Sequence, residues 1–385
     1  MRLLKLLEFF MNPNNEFRVP YVDLGLQWAS IREEALKKID DILSTGKYLE
    51  HEIVSKLEDD LASRIGVRHV VTLNSGTDAL LIALMALGVK RGDEIITVPN
   101  SFIATAAAIS HVGAIPVMVD VGEDHLIDPS KIEQKISPKT VAIMPVHLEG
   151  KVCDMNAIRA IADRYHLAIV EDAAQSMGSK YDDRESGSFG DIACFSLHPL
   201  KNLNAVGDGG FIATNNDQYK DFALAARNHG QSARNHSVFF GNVSRLDSIQ
   251  AGIISIRLQE LNSTISNRRA SAFYYDEQLK NTSIKTPRYL HNVYHSYHLY
   301  VIEIENRDLV QRALLSRSIE TKIHYPKLIT DQPAYISMFG QTKDIEVAKS
   351  QSKKILSLPI HQQLNQRQKD HVVETLLNTI KRSEN

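Results

Sequence analysis

Residues 69–88, HVVTLNSGTDALLIALMALG, form the segment that decides the fold. The first five, His69–Leu73, are mostly β-branched or apolar, which is typical of a buried strand. The last eleven, Asp78–Gly88, carry apolar side chains at helical spacing. Between them, Ser75 can cap the helix and Gly76 permits a close approach of the backbone. The stretch therefore predicts a strand, a tight turn and a helix in direct succession.

Similar apolar runs recur along the following 130 residues and alternate with helix-like stretches. Because these runs are apolar throughout, they predict strands that are covered by helices on both faces. The alternation predicts βαβ units and a mostly parallel sheet. The predicted strands lie at 69–73, 94–98, 115–120, 140–146, 167–171, 192–196 and 210–214, and a second helix is predicted at 155–165.

The character of the sequence changes near residue 260, beyond which it is more polar and more charged around one predicted strand at 298–305. We predict an N-terminal extension over residues 1–18, a large α/β/α domain over residues 19–260, and a smaller C-terminal α+β domain over residues 261–385. No repeat, low-complexity tract or flexible linker separates the two domains, so we expect them to pack against each other.

Composition limits the classes of function. The chain has 385 residues with 44 basic and 46 acidic side chains, a formal net charge of −2 and 43% hydrophobic residues. This balance is typical of a globular protein and favours neither a nucleic-acid nor a membrane partner. The apolar run at 1–10 is about half as long as a membrane span. Two cysteines, Cys153 and Cys194, are too few for a disulfide framework or a cysteine-built metal site, so we expect a cytoplasmic protein without a metal.

Polar and reactive residues follow three of the predicted strands, where ligands bind in open parallel sheets. The turn at 74–77 presents free amides at a helix start, which suit a phosphate group, although such a turn forms without any ligand. Asp172 follows a central buried strand, so its carboxylate either meets a cation or donors, or caps the next segment. Lys201 follows another buried strand and is flanked by small and apolar residues, unlike a typical solvated lysine.

These three features together match one cofactor, pyridoxal 5′-phosphate. Its aldehyde requires a lysine amine, its pyridine nitrogen requires a carboxylate that keeps it protonated, and its phosphate requires amides and hydroxyls. Lys201, Asp172 and the turn at 74–77 supply these groups. A protonated pyridine ring acts as an electron sink when a proton leaves the substrate carbon.

Nearly the whole chain resembles the DegT/DnrJ/EryC1/StrS family of pyridoxal-phosphate-dependent aminotransferases, which act on nucleotide-linked keto sugars. No single motif is decisive, but their order along the chain is highly specific. The matching stretches are Val19–Leu24, Asn74–Leu80, Gly92–Ile96, Pro145–Gly150, Glu171–Gln175, Ser196–Asn202, Arg245–Asp247, Ile323–Pro326 and Ser357–Ile360. The resemblance implies the aspartate-aminotransferase-like fold, called fold type I, and a homodimer with shared active sites that uses glutamate as amino donor.

Carried over by position, the resemblance implies a role for each matching residue. Lys201 would bind the cofactor covalently and then move a proton, and Asp172 would pair with the pyridine nitrogen. The other implied cofactor contacts are Gly76, Thr77 and Ser196 at the phosphate, Gln175 near the ring hydroxyl, Phe102 on the ring face, and Asn242 reaching the neighbouring subunit. The implied substrate contacts are His198, His324 and Tyr325. Core packing of Phe102 and a loop-backbone hydrogen bond of His198 are equal alternatives.

Three positions depart from the family pattern. The family often has Gly-Tyr-Asn-Ser-Arg-Leu where this chain has GNVSRL at 241–246, so Asn242 is displaced by one position and Val243 stands where the asparagine is expected. Glu149 replaces a frequent tyrosine and His51 a frequent glycine, in loops that we expect to line the sugar pocket. Neutral surface variation is the alternative expectation for both. Members that deoxygenate sugars carry histidine in place of the lysine, so Lys201 favours amination.

Two other functions stay open. One is a pyridoxal-phosphate enzyme of the same fold that acts on amino acids, such as a desulfurase or another lyase. A desulfurase requires a mobile reactive cysteine, whereas Cys153 and Cys194 are both predicted to be buried. The other is a non-catalytic regulatory protein of the same fold, against which the intact pair of Lys201 and Asp172 argues. No HExxH motif, P-loop or Rossmann glycine pattern supports a metal hydrolase, a kinase or a dehydrogenase.

Overall fold

A seven-stranded sheet forms the centre of the computed structural model, which describes residues 18–49 and 51–384. The extension predicted over residues 1–18 lies, apart from Arg18, outside the described residues. All seven predicted strands are present, and the second, third and fourth end one to three residues earlier than predicted. The strands are β1 (His69–Leu73), β2 (Glu94–Thr97), β3 (Ile115–Met118), β4 (Thr140–Ile143), β5 (Ala168–Asp172), β6 (Lys180–Tyr181), β7 (Arg184–Glu185), β8 (Ile192–Ser196), β9 (Gly210–Thr214), β10 (Gln231–Ala233), β11 (His236–Ser237), β12 (Val293–Tyr294), β13 (Tyr300–Glu303) and β14 (Ile355–Leu358).

The central sheet is mostly parallel, in the order β1-β9-β8-β5-β4-β2-β3. Strand β9 is the exception, because it runs antiparallel to both β1 and β8. The chain between β8 and β9 contains no helix that could carry it back across the sheet, so it returns in the opposite direction. This short connection begins where β8 ends and contains Lys201. Lys201 therefore lies at the edge of the sheet where the parallel strands β5 and β8 both end.

Helices cover the sheet and form the remaining layers. They are α1 (Leu24–Ser44), α2 (His51–Ile65), α3 (Gly76–Ala86), α4 (Ile103–His111), α5 (Met155–Tyr165), α6 (Asp217–Ala226), α7 (Ser248–Gln259), α8 (Leu261–Leu279), α9 (Arg307–Ser316), α10 (Pro333–Phe339), α11 (Glu346–Ser352) and α12 (Gln366–Glu384). Phe195 and Phe211 point to a core with α2 and α7, whereas Cys194 and Ile212 point to a core with α3, α4 and α6. This alternation explains why the strands are apolar throughout.

A separate C-terminal core lies between α8, α9, α12 and the antiparallel pair β13 and β14. Two segments cross the predicted boundary near residue 260. Val19, at the start of the described chain, packs in this C-terminal core and pairs with Ile319. Conversely, Leu328, Tyr335 and Ala348 pack in the core beside β2 to β5. The two-domain division therefore stays a prediction, and the structure adds that each part contributes to the other's core.

Within the described residues, none of the helices is long and apolar enough to cross a membrane. The same residues contain no cluster of three or more His, Cys, Asp or Glu side chains that could hold a metal ion.

Candidate active site

The turn after β1 packs directly against the ends of β8 and β9. Helix α3 begins at Gly76, and the Ser75 hydroxyl caps it by accepting from the Asp78 amide at 3.0 Å. The amides of Gly76 and Thr77 lie in the first helical turn, where no intrahelical acceptor exists. A Cβ atom at Gly76 would lie 2.7 Å from the Ser196 Cβ, so only glycine fits. The turn thus brings free amides and the Ser196 hydroxyl together, as an anion site requires.

Asp172 is the last residue of β5, the middle strand of the sheet, as predicted from its position in the sequence. Its side chain is buried and accepts a hydrogen bond of 2.7 Å from the Thr105 hydroxyl and a weaker one of 3.3 Å from the Ala174 amide. Burial raises the pKa of Asp172 despite these donors. A positive group placed against this carboxylate would therefore be strongly favoured.

Lys201 lies one strand away, in the connection that follows β8. Among the described residues, its amine has no hydrogen-bond or ion-pair partner. Burial lowers the pKa of Lys201 to about 8, and the attraction of Asp172 offsets only part of that effect. An amine with a lowered pKa is more often neutral and thus more nucleophilic at physiological pH.

Two histidines from the C-terminal half lie near Lys201. His324 was predicted from the sequence, and burial together with the charge of Lys201 lowers its pKa to about 4. Its Nδ1 atom lies 2.9 Å from the Ser357 hydroxyl. His298 was not predicted. It is 7% exposed, its Nδ1 atom has no partner among the described residues, and burial followed by the Lys201 charge holds its pKa well below the usual range. Both rings are therefore neutral in the cofactor-free protein.

Gln175, Tyr325 and Phe102 form a connected group at the mouth of the site. The Gln175 side-chain amide donates to the Tyr325 hydroxyl at 3.2 Å, and the ring of Phe102 lies 5.7 Å from that of Tyr325. Phe102 is 54% exposed, so the alternative that it simply packs in the core is wrong. An exposed aromatic ring at a strand-end cleft is available to cover a flat ligand.

Besides Phe102, three further predicted residues lie at the surface of the described chain. Thr77 is exposed at the start of α3, and His198 is exposed with its Nδ1 atom accepting a long hydrogen bond of 3.3 Å from the Leu200 amide. Asn242 is exposed and its side chain contacts none of the other predicted site residues. It lies in a segment whose Phe240 is fully exposed. Within one chain, the structure therefore brings Asn242 into no site.

Two departures from the family pattern were expected in loops, and this expectation is wrong for His51, which begins a helix. Glu149 is 3% exposed, so the alternative of neutral surface variation is wrong for this residue. Its carboxylate contacts His125 and Lys151, both at 2.7 Å. His51 is the first residue of α2. Sequence reasoning missed the burial of Glu149 because the two partners that neutralise it are ordinary loop residues.

These residues fit pyridoxal 5′-phosphate. The turn at 75–77 and Ser196 suit its phosphate, the buried Asp172 suits a protonated pyridine nitrogen, and the unpaired Lys201 amine suits its aldehyde. Cys153 and Cys194 are both buried, and burial raises the pKa of each thiol well above its usual value, so neither resembles the exposed, reactive cysteine of a desulfurase.

Comparison with known proteins points the same way. The model of the DegT/DnrJ/EryC1/StrS aminotransferase family matches residues 29–377. A pleiotropic regulatory protein of Geobacillus stearothermophilus is 37% identical over 93% of this chain and 97% of its own length. A UDP-2-acetamido-2-deoxy-3-oxo-D-glucuronate aminotransferase of Pseudomonas aeruginosa is 37% identical over 90% of this chain and 96% of its own. The crystal structure of DesV from S. venezuelae, in complex with a ketimine intermediate, has a TM-score of 0.91 and 37% identity, and covers 94% of this chain and 98% of its own.

Proposed function

The chain belongs to the DegT/DnrJ/EryC1/StrS aminotransferase family, and we propose that it moves an amino group from glutamate to a nucleotide-linked keto sugar. The predicted aminotransferase activity, the pyridoxal 5′-phosphate cofactor and the fold type I architecture are confirmed. The single observation that carries the proposal is that Lys201, an amine without a hydrogen-bond or ion-pair partner among the described residues, lies near the buried carboxylate of Asp172, beside a turn that suits phosphate. The cytoplasmic location stays a prediction.

Each residue of this group has a proposed task. The amides of Gly76 and Thr77 and the Ser196 hydroxyl bind the cofactor phosphate, while Asp172 holds the pyridine nitrogen protonated. When bound, the cofactor supplies an electron sink for the negative charge that develops on the substrate carbon. The Lys201 amine would hold the cofactor covalently and, once free, would carry a proton on its Nζ atom to or from the substrate carbon.

The keto-sugar acceptor is proposed from the names of the relatives and from the shape of the site. The Pseudomonas aeruginosa relative is named for a UDP-linked 3-oxo sugar. Here an open cleft of about 400 Å³ lies beside Phe102 and Tyr325 and is lined largely by apolar atoms. Tyr325 lines this cleft, and His324 lies close enough to Lys201 for the lysine charge to lower its pKa, so we propose both as sugar contacts. His198 lies exposed near Lys201 and is proposed to contact a carboxylate of glutamate.

A second copy of the chain is proposed to complete the site. Within the segment at 228–243, Val238, Phe240 and Val243 are all about half exposed or more. Three large apolar side chains on one exposed segment suggest that another protein surface covers them. A symmetric dimer would bring this segment, with Asn242, against the phosphate turn of the neighbouring subunit.

Mixed dimers test the shared site. Lys201→Ala protein is mixed with Asn242→Ala protein under conditions that exchange subunits. In a hybrid dimer one site carries both changes and the other carries neither, so activity should rise to about a quarter of the wild-type value. Mixing Lys201→Ala with Asp172→Asn is the matched control, because both changes affect the cofactor site of their own chain and no hybrid has an intact site.

The substrate assignment is tested separately by spectroscopy. Glutamate alone should remove the absorbance of the Lys201-bound cofactor, and a nucleotide-linked keto sugar should then restore it. A wild-type protein whose bound cofactor does not respond to glutamate would contradict the proposed donor. Borohydride should attach the cofactor to the peptide that contains Lys201, and attachment at another lysine would contradict the assignment of the site.

A further inference from the structure

Glu149 occupies a buried position between two cationic side chains. One carboxylate oxygen lies 2.7 Å from the His125 Nδ1 atom and the other lies 2.7 Å from the Lys151 Nζ atom. Lys151 also donates to the carbonyl of Asp124. Burial alone would raise the pKa of Glu149, but Lys151 and His125 hold it below the ordinary range, so the carboxylate stays charged. Both of its oxygens are therefore fixed.

The backbone at Glu149 is fixed as firmly as the side chain. Its φ of 65° lies in the left-handed region, and its carbonyl accepts from the Leu299 amide at 3.0 Å. At the next residue, a Cβ atom on Gly150 would lie 2.7 Å from the backbone nitrogen of His298. The turn thus packs closely against the segment at 297–299.

This turn reaches the site through Gln175. The Glu149 amide donates to the Gln175 Oε1 atom at 2.8 Å, and the Gln175 Nε2 atom donates to the Tyr325 hydroxyl at 3.2 Å. Because a backbone N–H can only donate, it fixes which end of the Gln175 amide faces the turn. The Tyr325 oxygen then accepts from Gln175, which leaves the Tyr325 O–H to donate to another acceptor.

We propose that Glu149 is a positioning residue, which orients Gln175 and Tyr325 so that both present hydrogen-bond donors to oxygen atoms of the cofactor and the sugar. The ion pairs of Glu149 with Lys151 and His125 hold the turn, the turn holds the Gln175 amide, and the amide holds the Tyr325 hydroxyl. The inference rests on the proposed function, because it assigns these two donors to ligands of that site.

A double-mutant cycle tests this coupling. Glu149→Gln keeps the size of the side chain but removes the charge that anchors it between Lys151 and His125. The readouts are the pH midpoint of the absorbance of the Lys201-bound cofactor, the cofactor dissociation constant, and the division of the effect between kcat and KM. We expect Glu149→Gln to weaken cofactor binding and raise the KM for the keto sugar, each about tenfold, and to have little further effect on either in Gln175→Ala protein.

Glu303→Gln provides the matched control. Glu303 lies 3.4 Å from the other nitrogen of the same His125 ring, and among the described residues no hydrogen bond joins it to Gln175. The control should lower the free energy of unfolding without changing cofactor binding or the KM. Equal effects of the two variants on cofactor binding, or an effect of Glu149→Gln that persists in full in Gln175→Ala protein, would overturn the inference.

Failure to fold is covered by a second variant. If Glu149→Gln alone is insoluble, Glu149→Gln combined with Lys151→Met removes both charges of the pair and enters the same cycle. The outcomes also separate this inference from the proposed function. Absence of any cofactor on wild-type Lys201 would contradict the proposed function, whereas a normal cofactor with fully additive effects would contradict only the positioning role.

Discussion

Lys151 is buried and Lys201 is partly buried, and the surroundings of their amines are opposite. Lys151 is 1% exposed, lies 2.7 Å from the Glu149 carboxylate and donates to a backbone carbonyl. Lys201 has no such partner among the described residues, and Asp172, the carboxylate that attracts it, is itself a group whose pKa burial raises. One lysine has its charge compensated inside the protein and the other does not.

The difference indicates which lysine serves structure and which serves chemistry. A buried charge without a partner destabilises the folded state, so it persists where a ligand completes its environment. A compensated pair needs no ligand and strengthens the contacts around it only as long as both partners remain. Changes at the two lysines should therefore separate catalysis from stability.

The largest expected effect is at Lys201. Lys201→Met removes the amine but keeps most of the side-chain volume, so turnover should fall at least about a thousandfold while the free energy of unfolding of the cofactor-free protein stays the same or rises. Steady-state kinetics and urea unfolding measure the two quantities. Marked destabilisation would show that Lys201 has a compensating partner, and the contrast with Lys151 would then be broken.

At Lys151 the effect should fall on stability. Lys151→Met leaves the Glu149 carboxylate buried with only His125 as partner, so the free energy of unfolding should decrease by about 3 kcal/mol. Lys56→Met is the control, because Lys56 pairs with Asp60 on the exposed face of α2 at 2.9 Å, and its loss should change stability by less than about 0.5 kcal/mol. Equal effects at the two lysines would remove the distinction between a buried and an exposed pair.

A change at Asp172, the carboxylate that attracts Lys201, tests the same comparison through the negative charge. In Asp172→Asn protein the Thr105 hydroxyl can accept from the new amide, and the Ala174 amide can still donate to its oxygen, so only the charge is lost. Turnover should then fall about a hundredfold with the fold intact. Thr105→Val keeps the charge of Asp172 and should therefore lower turnover less than Asp172→Asn does. Near wild-type turnover in Asp172→Asn protein would mean that Asp172 only caps the following segment.

The sequence predicted the strands well because each is a local apolar run with two buried faces. It could not predict that β9 runs against its neighbours, since strand direction depends on how the connection between β8 and β9 crosses the sheet edge. It also gave no sign that Val19 packs in the C-terminal core. That contact depends on packing between residues about 300 positions apart, as its pairing with Ile319 illustrates.

For the site, the position of Asp172 and Lys201 after predicted strands was sufficient to single them out as candidates, and their roles stay a prediction. Thr105 was missed because its hydroxyl meets Asp172 across 67 residues and nothing in its own helix marks it. His298 was missed because it is one of three histidines between residues 291 and 298, and nothing in the sequence distinguishes it from His291 and His295. A charged residue looks the same in the sequence whether or not an opposite charge lies beside it in the fold. Only the contacts in the folded structure distinguish Lys151 from Lys201.

The smallest expected effect is a pH dependence that belongs to Lys201. In the folded, cofactor-free protein burial lowers the pKa of Lys201 to about 8, whereas the ordinary value, which applies to the unfolded chain, is 10.5. Between these two pH values the unfolded chain binds more protons than the folded protein, so the free energy of unfolding gains a term that rises with pH. Below about pH 8 the buried charge destabilises the fold, and above that pH the penalty is progressively relieved.

Comparison with Lys201→Met isolates this term, because every other titrating group is common to both proteins. Urea unfolding at pH 7.5 and at pH 10 should show the wild-type protein gaining stability relative to the variant, by at most about 1.4 kcal/mol for each pH unit. Parallel stability curves would mean that the Lys201 amine is hydrated in the cofactor-free protein. The contrast with Lys151 would then reflect the contacts of Lys151 alone.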